Sequence, residues 1–356
     1  MRYYVSPDGT GKGTYFRPMR LRDACHKLSS GDSLRLKTCP WQVTRFTDPI
    51  NLSGLRNIDI RATGWGIAVL DGQEVNVPFS AQACTNLRVD RIFAHNSARH
   101  VFSLNRCANV TLLRCAGWDA GPGNARIFQL NRCENVLEDR CFGWGRARKI
   151  FEPYKSKGVL SRGCYAQGGG YDPAGWATSN DDTPTMAFSL CYQSKHITAD
   201  GCVATWDQTA PPEGHAYGLF AVDRNDPDKG YTLDADILLK NSLAFTLLKQ
   251  KVRPSMLGGV FVTGLNDVTI TGVDSIMPHG HRPFLLSDNG KGGQQCMIHN
   301  CYGAIRLPCV YPNWTREAPR DTPNPRLRMD WSMTFWVKKV GGPDVRAQLK
   351  ALRKAL

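Results

Sequence analysis

Residues 105–118 read NRCANVTLLRCAGW and residues 131–144 read NRCENVLEDRCFGW. The second stretch repeats the first 26 positions later, counted from Cys107 to Cys133, with both cysteines and the closing tryptophan in step. A repeat of this length is a supersecondary unit that buries its apolar face only by stacking on copies of itself. Working outward, a Phe-centred word recurs at Phe79, Phe102, Phe128, Phe151, Phe188, Phe220, Phe261 and Phe284. Each word is followed by a second apolar run, such as NVTLLRC or HITADGC, and these runs align a column of Ile92, Cys115, Cys141, Cys164, Cys202, Ser242, Val273 and Cys301. Side chains of a strand alternate between two faces. Short strands with one Phe and one thiol column inward, and no helical period, predict parallel stacking at about 4.8 Å per coil. No LxxLxL frame recurs, which excludes leucine-rich repeats. The expected fold is all-β, a parallel β-helix over residues 40–310.

The ends differ from the coils. Residues 1–39 hold a strand, a Gly-rich loop and a short amphipathic helix (Met19, Leu21, Ala24, Cys25, Leu28) suited to plug the open apolar end. Residues 311–356 form a tail with a Pro-rich stretch, the strand-like aromatic run WSMTFWVKK, and a terminal helix. Asp344 is its expected N-cap, with Val345, Leu349, Leu352 and Leu356 on one face. This helix is expected to close the last coil.

The chain has 356 residues, with 45 Lys and Arg against 31 Asp and Glu, a formal charge of +14. That excess favours a polyanionic partner. Thirteen cysteines without a CxxC pair exclude a zinc ribbon or thioredoxin-type site. Cys115, Cys141 and Cys164 are expected to be free and buried, which implies a reducing compartment. No apolar run is long enough to span a membrane. No apolar leader opens the sequence, so cytoplasmic synthesis, with virion association as one destination, is expected.

Tyr4-Val5-Ser6-Pro7-Asp8-Gly9, Gly13-Thr14, Pro18, Ala24 and Gly31-Asp32-Ser33-Leu34-Arg35-Leu36 resemble the opening of right-handed parallel β-helix proteins of the pectate lyase-like superfamily. The resemblance is close over the N-terminal cap and looser through about residue 310. It implies the fold. For activity it implies a set that spans polysaccharide lyases, glycoside hydrolases, epimerases, esterases and non-catalytic phage fibres. Asn180-Asp181-Asp182 resembles the paired aspartates of polygalacturonase-type hydrolases, with Gly214-His215 or Gly280-His281 as the following Gly-His, but the Arg-Ile-Lys element is missing.

With Phe inward, the outward columns read Ser103, Gln129, Glu152, Ser189 and Asn105, Asn131, Tyr154, Cys191, Asp223, with His100, Arg126 and Lys149 just before the Phe. Asn105 and Asn131 are expected to form a structural amide ladder. Long insertions at 165–187, 203–219, 223–235 and 244–259 would wall a cleft. The candidate catalytic residues are Lys149, Glu152, Tyr154, Asp223, Arg224 and His215, with Arg126, Trp176, Asp181, Asp182 and Trp206 binding substrate. A lyase would use Lys149 or Arg224 as base and Tyr154 or His215 as acid. A hydrolase would use two carboxylates such as Glu152 and Asp223. No cofactor is expected, with one exception: Asp223, Asp226 and Asp228 are where a weakly held Ca²⁺ would be sought. The function expected is recognition of an acidic polysaccharide, with lyase or hydrolase activity. The alternative is a non-catalytic fibre or tailspike-like virion component. Nucleic acid is not the expected partner, and homo-oligomer or virion assembly is compatible with the fold.

Overall fold

The structure is a computed structural model. It describes residues 1–169, 185–190, 193–206, 217–222, 236–247, 257–263, 267–277, 282–287, 296–303, 305–306, 314–316, 318, 320–324 and 326–355. Its strands form three sheets, here sheets 1, 2 and 3, with ten, twelve and nine strands among the described residues. One coil runs Phe102–Asn105 in sheet 1, Ala108–Leu113 in sheet 2 and Ala116–Trp118 in sheet 3. The next runs Arg126–Asn131, Glu134–Asp139 and Phe142–Trp144, each strand lying parallel beside its predecessor. The fold is a right-handed parallel β-helix.

The repeated words do what their periodicity implies. Phe79, Phe102, Phe128, Phe151, Phe188 and Phe220 pair in register and point inward, all at most 1% exposed. Successive rings from Phe102 to Phe220 stack 4.6–4.9 Å apart, the coil repeat itself. Phe261 is the exception. Val260 pairs with both Phe220 and Phe284, so Phe261 lies one position on and faces outward, half-buried. A slip of one residue reverses the face.

The thiol columns sit at the corners. A left-handed residue (Arg91, Arg114, Arg140, Asn241 or Asn300, φ 51–56°, or Gly163, Gly201 or Gly272) turns the chain from sheet 2 to sheet 3, and the next residue points inward. These inward residues are Ile92, Cys115, Cys141, Cys164, Cys202, Ser242, Val273 and Cys301, all at most 2% exposed. Cys84, Cys107, Cys133, Ser156 and Ser194 form a second such column at the corner between sheets 1 and 2. Their role exceeds that of small apolar fillers. Sγ of Cys141 lies 3.4 Å from the Leu112 carbonyl of the preceding coil, and Sγ of Cys164 lies 3.3 Å from that of Glu138. Ser156 and Ser194 hydroxyls donate to Leu130 and Pro153 carbonyls in the same way, at 3.0 and 3.1 Å. At the corner a thiol or hydroxyl thus gives the carbonyl of the coil before a side-chain donor. Cys115, Cys141 and Cys164 are buried and free, as expected.

Helix α1 (Leu21–Lys27) inserts Leu21 and Ala24 into the core beside Val5, Met19 and Leu34. The tail is also a capping element, but what it covers is a flank. WSMTFWVKK is helix α2 (Trp331–Lys339) and not a strand. Asp330 accepts the Ser332 amide at 2.9 Å as N-cap, and Lys338 and Lys339 sit in the last turn, where cations suit the helix dipole. Asp344 caps α3 (Val345–Ala355), accepting the Ala347 amide at 3.1 Å. Both helices lie on the outer face of sheet 3. There Met333, Trp336, Val337, Val345 and Leu352 bury Trp118, Trp144, Tyr165, Val203 and Leu243. The Tyr165 hydroxyl donates to Gln348 of α3 at 2.7 Å. Sheet 3 is thus apolar on both faces, which explains the repeated Trp118 and Trp144, stacked 4.8 Å apart.

Candidate functional site

Sheet 2 has a polar outer surface and sheet 3 is covered, so sheet 1 is the wall to build from. Its register gives two outward columns: Asn51, Ser80, Ser103, Gln129, Glu152, and Ser53, Gln82, Asn105, Asn131, Tyr154. Eight of these ten side chains are hydroxyls or carboxamides, so the strip is neutral and able both to donate and to accept. Its N-terminal part is a groove of about 330 Å³ lined by Asn51, Ser53, Ser80, Gln82, Ser103 and Asn105. Ser80 Oγ donates to Asn51 Oδ1 at 2.6 Å. Oδ1 of Asn105 and of Asn131 are buried and accept no hydrogen bond. The amide ladder expected at these two positions occurs on sheet 2 instead. There Asn86, Asn109 and Asn135 each donate to the asparagine of the coil before, at 2.7, 3.0 and 3.2 Å.

The strip ends at a charged cluster. Arg126 pairs with Lys149 across adjacent strands, and Glu152 lies between them in reach of both. Lys149 Nζ donates to Glu152 Oε1 at 2.5 Å and lies 3.5 Å from Ser189 Oγ, while Arg126 Nε donates to Glu152 Oε2. Lys149, Glu152 and Arg126 were expected to face solvent. They do point away from the solenoid core, yet they are 2%, 0% and 9% exposed. Burial pushes the Glu152 pKa up, but the Lys149 and Arg126 cations outweigh it and hold the carboxyl at about 2. Arg126 also bonds the Asn124 carbonyl through Nη1, and its amide donates to His100 Nδ1 at 3.2 Å. Burial, with the Arg126 and Arg99 charges, lowers the His100 pKa to about 3, so its ring is neutral. Tyr154 is half-buried at the edge, with Lys155 Nζ 5.3 Å from its ring centroid.

Other expected residues fare differently. Trp206 lies in a sheet 3 strand, Val203–Trp206, and is 3% exposed in the core, where Gly168 leaves room for the indole. It therefore cannot line a groove. Asp223, Arg224, His215, Trp176, Asp181 and Asp182 lie outside the described residues, as do Asp226 and Asp228. Among the described residues no group of three His, Cys, Asp or Glu side chains is arranged to hold a metal, and no helix is long and apolar enough to cross a membrane.

One ionisable group escaped the sequence reading. Glu138, in sheet 2, points into the core at the position held by Leu112 one coil earlier. Ser161 Oγ donates to its Oε2 at 2.6 Å, and Oε1 has no partner. Burial raises its pKa to about 7. The signal was available: NVLEDRC places Glu where NVTLLRC places Leu.

Known structures with the same coiled architecture were found at low identity. A pectate lyase, Pel9A, is similar over 89% of this chain and 76% of its own, at 13% identity and TM-score 0.46. An endo-xylogalacturonan hydrolase from Aspergillus tubingensis is similar over 89% and 100%, at 12% and 0.40. A tailspike protein of E. coli bacteriophage HK620 is similar over 89% and 59%, at 12% and 0.37. The likeness is one of fold. No family model and no curated protein matches the chain.

Proposed function

We propose that this chain binds a polysaccharide along the outer face of sheet 1. The observation that carries the reading is the in-register neutral strip from Asn51 and Ser53 to Gln129 and Asn131. Glycan hydroxyls donate and accept, and they match a row of amides and hydroxyls that repeats once per coil. Arg126, 9% exposed at that end of the strip, is the cation an acidic sugar would meet.

Binding is better supported than catalysis by the cluster itself. Glu152 is a carboxylate clamped by two cations and has no proton to give near neutral pH. Lys149 would have to leave Glu152 before acting as a base. A lyase or hydrolase would therefore draw its acid or base from Tyr154 or from Asp223, Arg224 and His215. The test is affinity electrophoresis of the full chain in gels containing polygalacturonate, alginate or neutral xylan. Retardation by an acidic polysaccharide, weakened at least fivefold in a Gln82→Leu/Asn105→Leu variant and only slightly by salt, is expected. Unchanged retardation in that variant overturns the placement, and release of unsaturated or reducing ends would favour the enzyme.

A further inference from the structure

Exposed large apolar side chains gather at one end of the molecule. Tyr15, Phe16, Trp41 and Trp65 come from the first coils, and α2 carries Phe335 back to meet Trp41. Trp41 lies between Trp65 and Trp336, with centroids 6.3 Å apart and planes within 13° on each side. Despite two parallel neighbours, Trp41 is 59% exposed and Trp65 72%. Trp118 and Trp144 are the contrast, since they stack at 4.8 Å and are each 7% exposed. Parallel rings 6.3 Å apart sit near the outer limit of aromatic pairing and leave much of each indole open. Trp65 and Trp41 thus form two open steps on a buried base, Trp336.

The backbone holds these rings out. Trp41 has φ 60°, a conformation rare for a bulky side chain, and its carbonyl accepts from Lys339 Nζ. Gly66, next to Trp65, sits where an added Cβ would lie 2.4 Å from the Cys39 carbonyl, so the two turns are locked together. Backbone strain that presents an apolar group to water is a mark of a binding site.

We infer that Trp65 and Trp41 form a saccharide-binding platform, apart from sheet 1, that takes the apolar C–H faces of successive pyranose rings in a neutral glycan. Two nearly parallel, largely open ring planes fit a row of flat rings better than the irregular surface of a protein partner. Lys339, the cation beside them, is already engaged by the Trp41 carbonyl and lies over Phe335 and Trp336 at 5.8 and 5.5 Å, so the platform does not offer a phosphate contact. The inference rests on this aromatic geometry and does not require sheet 1 to bind glycan.

The test is tryptophan fluorescence titration of the full chain with cellohexaose and xylohexaose, with a ten-residue oligothymidylate as the competing class. Saturable quenching or a blue shift by a hexasaccharide is expected, weakened at least tenfold in Trp65→Ala, partly restored in Trp65→Tyr and unchanged in the sheet 1 variant Gln82→Leu/Asn105→Leu. Because Trp65 is so exposed, Trp65→Ala should melt like the parent. Equal sugar affinity in Trp65→Ala, no response to either hexasaccharide, a response to the oligothymidylate alone, or a change only in self-association would each overturn it.

Discussion

Glu138 in sheet 2 and Glu152 in sheet 1 are separated along the chain by the one strand Phe142–Trp144; both are almost without exposed surface, and their carboxyls behave in opposite ways. Glu138 faces the solenoid core, where Ser161 is its one side-chain partner among the described residues, and burial raises its pKa to about 7. Glu152 faces outward, is covered as fully, and is held at about 2 by Lys149 and Arg126. Depth is common to both, so the difference comes from what each wall face supplies. The inner face of a β-helix supplies apolar groups and thiols. The outer face of sheet 1 supplies cations and amides, and a charge can be kept there.

The largest effect is expected on the outside. Glu152→Ala removes the buried carboxylate that Lys149 and Arg126 share, and breaking a buried ion pair from one side costs about 3–5 kcal/mol. Denaturant melts of Glu152→Ala against Lys149→Met/Glu152→Leu check this, the double variant being the more stable. A single variant within about 1 kcal/mol of the parent would mean the cluster is solvated.

A comparable loss is expected inside. Phe128→Ala opens a cavity within a ring stack and should cost about 3–5 kcal/mol. Phe261→Ala, on the outer side of the same sheet, should cost clearly less. Equal losses would restore the register in which all eight phenylalanines point inward.

The third prediction uses pH. Glu138 holds its proton longer when folded, so its contribution is fully present below about pH 4.5 and is lost as pH rises through about 7. Glu152 has the reverse sign: its contribution is present above about 4.5 and is lost as pH falls through about 2. His100, lowered to about 3, also loses stability as pH falls from about 6.5 and partly masks Glu138 in the parent. Comparing Glu138→Gln with the parent isolates Glu138. The two should melt together at pH 4.5, and by pH 8 the variant should be the more stable by about 2–3 kcal/mol. A gap that does not change with pH would show that Glu138 never titrates in the core.

The smallest effect concerns the thiols. Iodoacetamide on the native chain should modify exposed Cys39 and leave Cys115, Cys141 and Cys164 untouched, with no change in melting. Cys141→Ser should cost less than about 1 kcal/mol, because Ser242 occupies the same corner column and also donates to a carbonyl.

The inward half of this molecule was legible because it follows a local rule. Strand alternation places Phe128 and Cys141 from their neighbours alone, and the rule failed only at Phe261, where an adjacent Val competes for the column. The outward half depends on segments far away in the chain. Trp118 and Trp144 repeat in step as turn packing would, but the helices that cover the flank of sheet 3 begin at Trp331, and Tyr165 meets Gln348 across 183 residues. Likewise Lys149 and Glu152 were read as outward, but their burial was not legible in the alternation of their own strand. WSMTFWVKK was misread because aromatic content suggests a strand, whereas Asp330 before it and the lysines at its end are helix signals. The neutral strip was legible as columns, but its chemistry was overshadowed by one charged coil.

The most direct test of the central proposal is a crystal structure of the full chain with the shortest oligosaccharide of whichever polysaccharide retards it in the gel. A sugar chain lying across Asn51, Ser80, Ser103 and Gln129, with an acidic sugar nearest Arg126, is expected. A sugar chain bound on another face, with sheet 1 bare, would contradict it.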